Sequence, residues 1–201
     1  MIVVVDYGMG NLRSVSKALE RFGGKVKVSS LPSDLEQADK LVLPGVGAFG
    51  DAMKELNARQ LGEPILRHLG NQKPFLGICL GLQLLFESSE ENPGVRGLSF
   101  FKGKVQRFKS SVVKIPHMGW NQVSIQNKHP LLTGVADNSF FYFVHSYYAQ
   151  PEDAGLAAGV CQYGDEAFAA IIGEGAILAT QFHPEKSQQA GLKILENFVR
   201  L

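Results

Sequence analysis

The chain has 201 residues, and its 20 Lys and Arg against 19 Asp and Glu leave a net formal charge of +1. With 45% hydrophobic and 19% charged residues it has ordinary globular composition, long enough to bury on the order of 70% of the surface of its unfolded chain. These values exclude a disordered chain and a small domain that needs disulfide or metal staples, and the absence of a basic cluster excludes nucleic acid as an expected partner. A soft prior of about 150 residues per domain favours one domain, residues 1–201. The N-terminus, Met1 to Asp6, lacks a positive n-region, and the longest apolar stretch, Ala167 to Phe182, is interrupted by Glu174 and two glycines. Neither a secretory signal nor a membrane span is predicted, so the protein is expected in the cytoplasm. Cys79 and Cys161 fit neither a zinc pattern nor a C-x-x-C motif, which predicts free thiols, no metal and no cofactor.

In chain order, Ile2–Val5 reads as a strand, and Leu12, Val15, Leu19 and Phe22 recur with helical spacing. Lys25–Ser29 alternates like a second strand. Ser33-x-x-Glu36 has the form of a capping box opening a short helix, and Lys40–Leu43 is a third strand stopped by Pro44-Gly45. A helix from about Asp51 follows. Pro74–Ile78 is a continuous apolar run of the kind found in parallel strands buried on both faces, and it feeds a helical pattern over Leu80–Glu87. After Glu90–Gly94 the character changes to short, antiparallel-looking strands: Lys104–Phe108, Gln122–Gln126, Ser139–Tyr148, Gly159–Tyr163, Glu166–Ile172 and Ala176–Phe182. Ser187–Leu201 is the closing helix. The pattern predicts an α/β fold, a mostly parallel central sheet flanked by helices with additional antiparallel strands.

The sharpest local signal is Gly77-Ile78-Cys79-Leu80-Gly81, a G-x-C-x-G between a buried strand and a helix. It has the form of a nucleophile elbow, in which small flanking residues permit a strained turn, and backbone N–H groups together with the helix N-terminus favour negative charge on sulfur. An inert buried thiol is the competing reading of Cys79, and it is the reading of Cys161. Among five histidines, His183 is placed best as a base: it follows an apolar strand, precedes Pro184 and, in an extended chain, projects on the same side as Glu185. Taken alone, His-Pro-Glu reads more readily as a surface turn with an incidental ion pair. Combined with the Cys79 elbow it becomes a nucleophile, base and orienting acid. Two sources of oxyanion donors are visible: the N–H of Leu80, and the Pro44-Gly45-Val46-Gly47 loop at the end of another strand, where Val46 and Gly47 supply the turning peptide. Gly45-x-Gly47-x-x-Gly50 also matches a dinucleotide fingerprint, but no acid follows about 20 residues on at a strand end, so nicotinamide binding is rejected.

With these motifs in place, the chain resembles the class I (triad) glutamine amidotransferases and, within them, the glutaminase subunits of imidazole glycerol phosphate synthases. The resemblance rests on Asp6-Tyr7-Gly8-Met9-Gly10-Asn11-Leu12, Pro44–Gly50, Gly77–Phe86, Pro116-His117-Met118-Gly119-Trp120-Asn121, Tyr142–Tyr147 and Phe182–Ser187. These segments run in order along essentially the whole chain. The cysteine and His-Pro-Glu motifs mark the superfamily, and the Asp6–Asn11 and Pro116–Asn121 segments mark the subunit.

The resemblance implies that Cys79 attacks the carboxamide of L-glutamine, His183 carries the proton to departing ammonia, and Glu185 holds His183. It further implies that Val46, Gly47 and Leu80 stabilise the oxyanion, and that Gln83, Gly47, Ser146 and Tyr147 bind glutamine. Asn11, Trp120, Tyr142 and Lys186 would lie near a partner interface and ammonia exit. The implied partner is a (β/α)8-barrel cyclase that uses the ammonia in histidine biosynthesis, with weak glutaminase activity expected alone and strong stimulation in the complex. A stand-alone cysteine hydrolase resembling γ-glutamyl hydrolase, and an inactive binding module, are the alternatives.

Overall fold

The computed structural model describes residues 1–201. Five strands run parallel: β1 (Ile2–Val5), β2 (Val26–Ser29), β3 (Lys40–Gly45), β4 (Phe75–Cys79) and β12 (Ile177–Thr180). The sheet continues through antiparallel β11 (Glu166–Glu174), β10 (Ala157–Tyr163), β7 (His117–Ile125) and β8 (Ser139–His145), in the order β2-β1-β3-β4-β12-β11-β10-β7-β8. A second sheet joins β5 (Ser88–Ser89), β6 (Gly103–Arg107) and β9 (Tyr147–Pro151). The expected α/β architecture is present, and no helix is long and apolar enough to cross a membrane.

The apolar runs of β1, β3 and β4 feed both faces, because side chains alternate across a sheet. Val3, Val5, Leu41, Leu43 and Phe75 enter one core with α3 (Phe49–Ala58) and α4 (Gly62–Gly70). Val4, Val42, Leu76 and Ile78 enter the other with α1 (Leu12–Glu20) and α6 (Gln188–Arg200). Every residue of β1 and β4 is buried, so these strands lack the two-residue alternation of a half-solvated strand.

Several boundaries differ from the sequence reading. Short α2 (Pro32–Gln37) starts with Leu31 as its cap and no side-chain capping bond, so Ser33 does not open it. Pro32 occupies the first turn, where its missing N–H costs nothing, and Asp34 is held instead by Lys27 Nζ at 2.7 Å and by the Ser29 hydroxyl. Pro44 does not stop β3, which runs through Gly45. Pairing with β1 has already ended at Val42, so Pro44 interrupts no ladder on that side. The helix expected over Leu80–Glu87 is a single turn, α5 (Leu80–Gln83), and α3 begins at Phe49 rather than Asp51. The strand expected over Ser139–Tyr148 breaks at Ser146, where the chain leaves the large sheet for the small one.

Candidate active site

β4 delivers Cys79 to the carboxyl edge of the sheet, in register with Gly45 at the end of β3. Cys79 has φ 55° and ψ −107°, a left-handed conformation that a non-glycine residue adopts at a cost of order 1–3 kcal/mol. The flanking glycines are required by close approach. A Cβ on Gly81 would run into the Leu43 carbonyl, and one on Gly77 would lie 2.9 Å from Ala179 Cβ. Because α5 is one turn long, stabilisation of charge on the sulfur falls to individual N–H groups rather than to a long helix dipole.

β12 pairs with β4 through Thr180 and Ile78, so the chain leaving β12 passes directly beside Cys79. His183 is extended, at φ −97° and ψ 99°, but Pro184–Lys186 then forms a 3₁₀ turn instead of continuing extended. Through that turn Glu185 Oε1 lies 2.9 Å from His183 Nδ1, both side chains being buried at 2% exposure or less. Ser187 secures the loop: its hydroxyl donates to the His183 carbonyl at 2.6 Å and accepts from the Tyr142 N–H at 2.9 Å. Burial disfavours a charged imidazole here, yet the interactions with Cys79 and Glu185 outweigh it and raise His183 to about 10. His183 Nε2 has no well-formed hydrogen bond, consistent with a thiol–imidazole contact that tightens only on substrate binding.

A cavity of about 370 Å³ opens over the sulfur, within the size range of small-ligand sites. Cys79, Leu80, Gln83, Val46, Gly47, Ser146 and Tyr147 all line it, so the structure brings together the expected nucleophile, oxyanion and substrate residues. Gln83 is buried at 5% exposure rather than a solvated helix residue, and Gly47, at φ 99°, gives the loop a turn that few other residues adopt. The wall also holds Glu91, Pro116, Val144 and His145. Glu91 was missed because Glu90–Gly94 reads as an ordinary polar turn; its Oε2 accepts from the Phe49 N–H at 2.8 Å, fixing the carboxylate at the cavity. A larger cleft of about 530 Å³ near Arg21, Val135 and Lys193 is lined by no cysteine or histidine.

Residues 3–201 match the family described as glutamine amidotransferase class-I. The chain belongs to the class-I glutamine amidotransferases. This amidotransferase is 53% identical to an imidazole glycerol phosphate synthase subunit HisH of Syntrophotalea carbinolica, over 98% of each chain. Proteins of the same name from Aquifex aeolicus, 54% identical over 98% of this chain and 95% of that one, and Methanocaldococcus jannaschii, 50% identical over the full length of both, are similar to a comparable degree. A crystal structure of a glutamine amidotransferase superposes with a TM-score of 0.77 at 18% identity over the full length of both chains. PurLQS of Thermotoga maritima gives 0.76 at 20%, over 99% of this chain and 97% of that one, and at these identities the likeness establishes the fold.

At the wall of the cavity the amidotransferase carries a buried histidine pair that no sequence motif links. His145 Nδ1 faces the Tyr147 carbonyl at 2.8 Å and must donate to it, which leaves Nε2 as an acceptor for His117 Nδ1 at 3.0 Å. His117 Nε2 then accepts from Asn121 Nδ2 at 3.2 Å. Burial lowers both histidines, His117 to about 4 and His145 to about 3, so the relay is neutral. Cys161 is buried, with its thiol pushed by burial up to about 12, as suits a core residue.

On the surface beside the His183–Glu185 turn, Trp120 packs against Tyr142 at 6.0 Å between ring centroids, and Lys186 Nζ lies 5.9 Å from the Tyr142 ring. Trp120 is 46% exposed and is therefore not a core residue. Asn11 caps α1, its side chain accepting from the Ser14 N–H at 3.3 Å, and α1 packs against the turn that holds Lys186.

Proposed function

We infer that this amidotransferase is the glutaminase subunit of an imidazole glycerol phosphate synthase, acting as one unit over residues 1–201 in the cytoplasm. It hydrolyses L-glutamine to glutamate and passes ammonia to a (β/α)8-barrel cyclase subunit in histidine biosynthesis. The reading is carried by the buried His183–Glu185 pair at 2.9 Å beside a cysteine held at φ 55° in the cavity. Supporting it, relatives named as subunits of that synthase share half or more of the sequence over essentially full length.

Cys79 Sγ, as thiolate, bonds to the carboxamide carbon of glutamine while the carbonyl oxygen takes negative charge. The Leu80 N–H and the Val46–Gly47 loop donate to that oxygen. His183 Nε2 gives its proton to the amine as the C–N bond breaks, releasing ammonia and leaving a thioester. Water then adds to the thioester with His183 as base, and glutamate leaves as the thiol is restored. Glu185 accepts from His183 Nδ1 throughout and so holds Nε2 toward sulfur. Gln83, Gly47, Ser146 and Tyr147 position glutamine, and the Glu91 carboxylate supplies a counter-charge for its α-ammonium group.

Ammonia released into water is protonated and loses its nucleophilicity, so the chemistry needs a partner docked over the site. Met118 at 62%, Trp120 at 46% and Phe140 at 54% exposure form an apolar strip on β7 and β8, continuous with Tyr142 and Lys186. Such a strip fits a protein partner. The test is glutamate release by the chain alone and with the cyclase and its nucleotide ligand, using Cys79→Ala as control. Activity that appears with the partner and disappears in the alanine variant is expected. Equal activity with and without the partner would instead favour a stand-alone hydrolase.

A further inference from the structure

Gln181 was not among the expected site residues, yet it is completely buried beside the nucleophile, one residue past the end of β12. The chain leaving β12 bends at Gln181 and Phe182, and the segment that brings the imidazole to Cys79 brings a carboxamide as well. The orientation of that carboxamide is fixed by its neighbours. Gln83 Nε2 lies 2.9 Å from the Tyr147 carbonyl oxygen, which can only accept, so this atom of Gln83 is the NH₂ group. The same nitrogen lies 3.0 Å from Gln181 Oε1. Turning the Gln181 amide over would set two donors against each other, so Oε1 faces Gln83 and Nε2 faces Cys79 Sγ, at 3.7 Å.

We propose that Gln181 is a catalytic residue whose Nε2–H donates to the Cys79 sulfur and stabilises its thiolate form, and that Gln83 is the positioning residue that aims it. The proposal rests on Cys79 being the nucleophile. An N–H donor facing sulfur binds thiolate more strongly than thiol, because the bond to the ionised acceptor is charge-assisted. His183 alone cannot fill that role through the whole cycle, since it surrenders its proton to the departing ammonia. Gln181 retains its protons at every step. It therefore supports the sulfur both as the attacking thiolate and as the thiolate expelled when the thioester is hydrolysed. Gln83 reaches the substrate cavity with one side of its amide and holds Gln181 with the other, linking the substrate wall to the sulfur.

The experiment measures the rate of Cys79 alkylation by iodoacetamide from pH 5 to 10, followed by mass spectrometry of the Cys79 peptide, in the full chain and in Gln181→Met. Methionine keeps the length of the side chain and removes the donor. Alkylation at pH 7 is expected to fall at least about tenfold while the limiting rate at high pH stays within about twofold, the profile moving up by roughly 1–2 pH units. In the partner complex kcat falls with KM little changed, because Gln181 does not line the cavity over Cys79. Coincident alkylation profiles would overturn the proposal.

A second measurement leaves Gln181 in place should the methionine variant not fold. The side-chain amide protons of Gln181, followed by nuclear magnetic resonance, shift as Cys79 titrates in the native chain and lose that shift in Cys79→Ala; protons indifferent to Cys79 overturn the proposal. The glutaminase activity of Cys79→Ala separates the two ideas. Activity retained there refutes the nucleophile assignment, whereas a silent Cys79→Ala with unmoved Gln181 protons refutes only the role of Gln181.

Discussion

Tyr7 carries a hydroxyl that is buried without a hydrogen-bond partner, and a Cβ on Gly45 would collide with it. Burial, with a smaller contribution from the nearby Cys79 sulfur, raises this phenol. An unpaired buried hydroxyl costs about 1–3 kcal/mol, so Tyr7→Phe is expected to stabilise the free chain and raise its thermal midpoint by several degrees. A lower midpoint in differential scanning calorimetry would mean that the hydroxyl does have a partner. At Glu185 the expectation is reversed. Glu185→Gln removes one of the two groups, after Cys79, that raise His183, whose titration then falls from about 10, and glutaminase activity drops about 10²–10⁴-fold. The linkage has a definite sign. A histidine raised above its unfolded value of about 6.5 contributes stability that is complete below that value and is lost as pH rises toward 10. Wild type should therefore lose stability more steeply than Glu185→Gln over that window, as read by urea unfolding at successive pH values, and parallel slopes would refute the carboxylate as the cause. Cys79 and His183 were legible as candidates in the sequence because each sits in a motif with its supporting neighbours: glycines around Cys79, proline and glutamate after His183. Glu91 and Gln181 have no such local mark, and the motif around Tyr7 does not show that it lies against Gly45, since these placements depend on side chains brought together by other strands.

At the scale of elements, what was legible followed burial. The apolar runs of β1, β3 and β4 announced a parallel sheet, whereas α5 was expected to be four residues longer because Leu84, Leu85 and Phe86 continue a helical pattern. Those side chains are buried in any case, held by turn hydrogen bonds such as Leu85 N–H to the Leu82 carbonyl at 3.2 Å, so their hydrophobicity reports packing rather than helix. The break at Ser146 was also invisible: β8 and β9 form one apolar stretch, and only pairing with two different sheets divides them. The ladder between β7 and β8, which aligns His117 with His145, has an energetic consequence. Both histidines are held below their ordinary value by burial and stay neutral in the fold, while the unfolded chain protonates them near 6.5. Stability is then retained above about pH 6.5 and lost as pH falls from there toward 4, by up to about 1.4 kcal/mol per pH unit for each group. Replacing both by asparagine should flatten the fall of urea midpoints between pH 6.5 and 4. Some slope persists, because burial also lowers His68 and His129. An unchanged slope would place the acid sensitivity elsewhere.

For the whole molecule, the order β3-β4-β12 at the centre of the sheet is what makes the site. It sets the carboxyl end of three neighbouring strands side by side, bringing the Val46 loop and Cys79 together with His183, which lies more than a hundred residues further along the chain. Strand alternation implied a parallel sheet, but not that the last strand inserts next to the fourth. That pairing depends on burying Ile177–Thr180 in the middle of the sheet rather than on any local signal. At the end of the sheet the β7–β8 ladder exposes Met118, Trp120 and Phe140 on one face. In the proposed complex Trp120 is the strongest candidate for an energetic anchor: its ring is held against Tyr142, so little side-chain freedom remains to be lost on docking, yet nearly half of it still faces water. Trp120→Ala should weaken association with the cyclase subunit by about 2 kcal/mol, roughly 30-fold, in a calorimetric titration. Glutaminase activity at saturating partner should change much less, because Trp120 does not line the cavity over Cys79. Unaltered affinity would move the docking surface away from this face of the sheet, and lost activity at full saturation would make Trp120 part of the coupling between the sites rather than a contact alone.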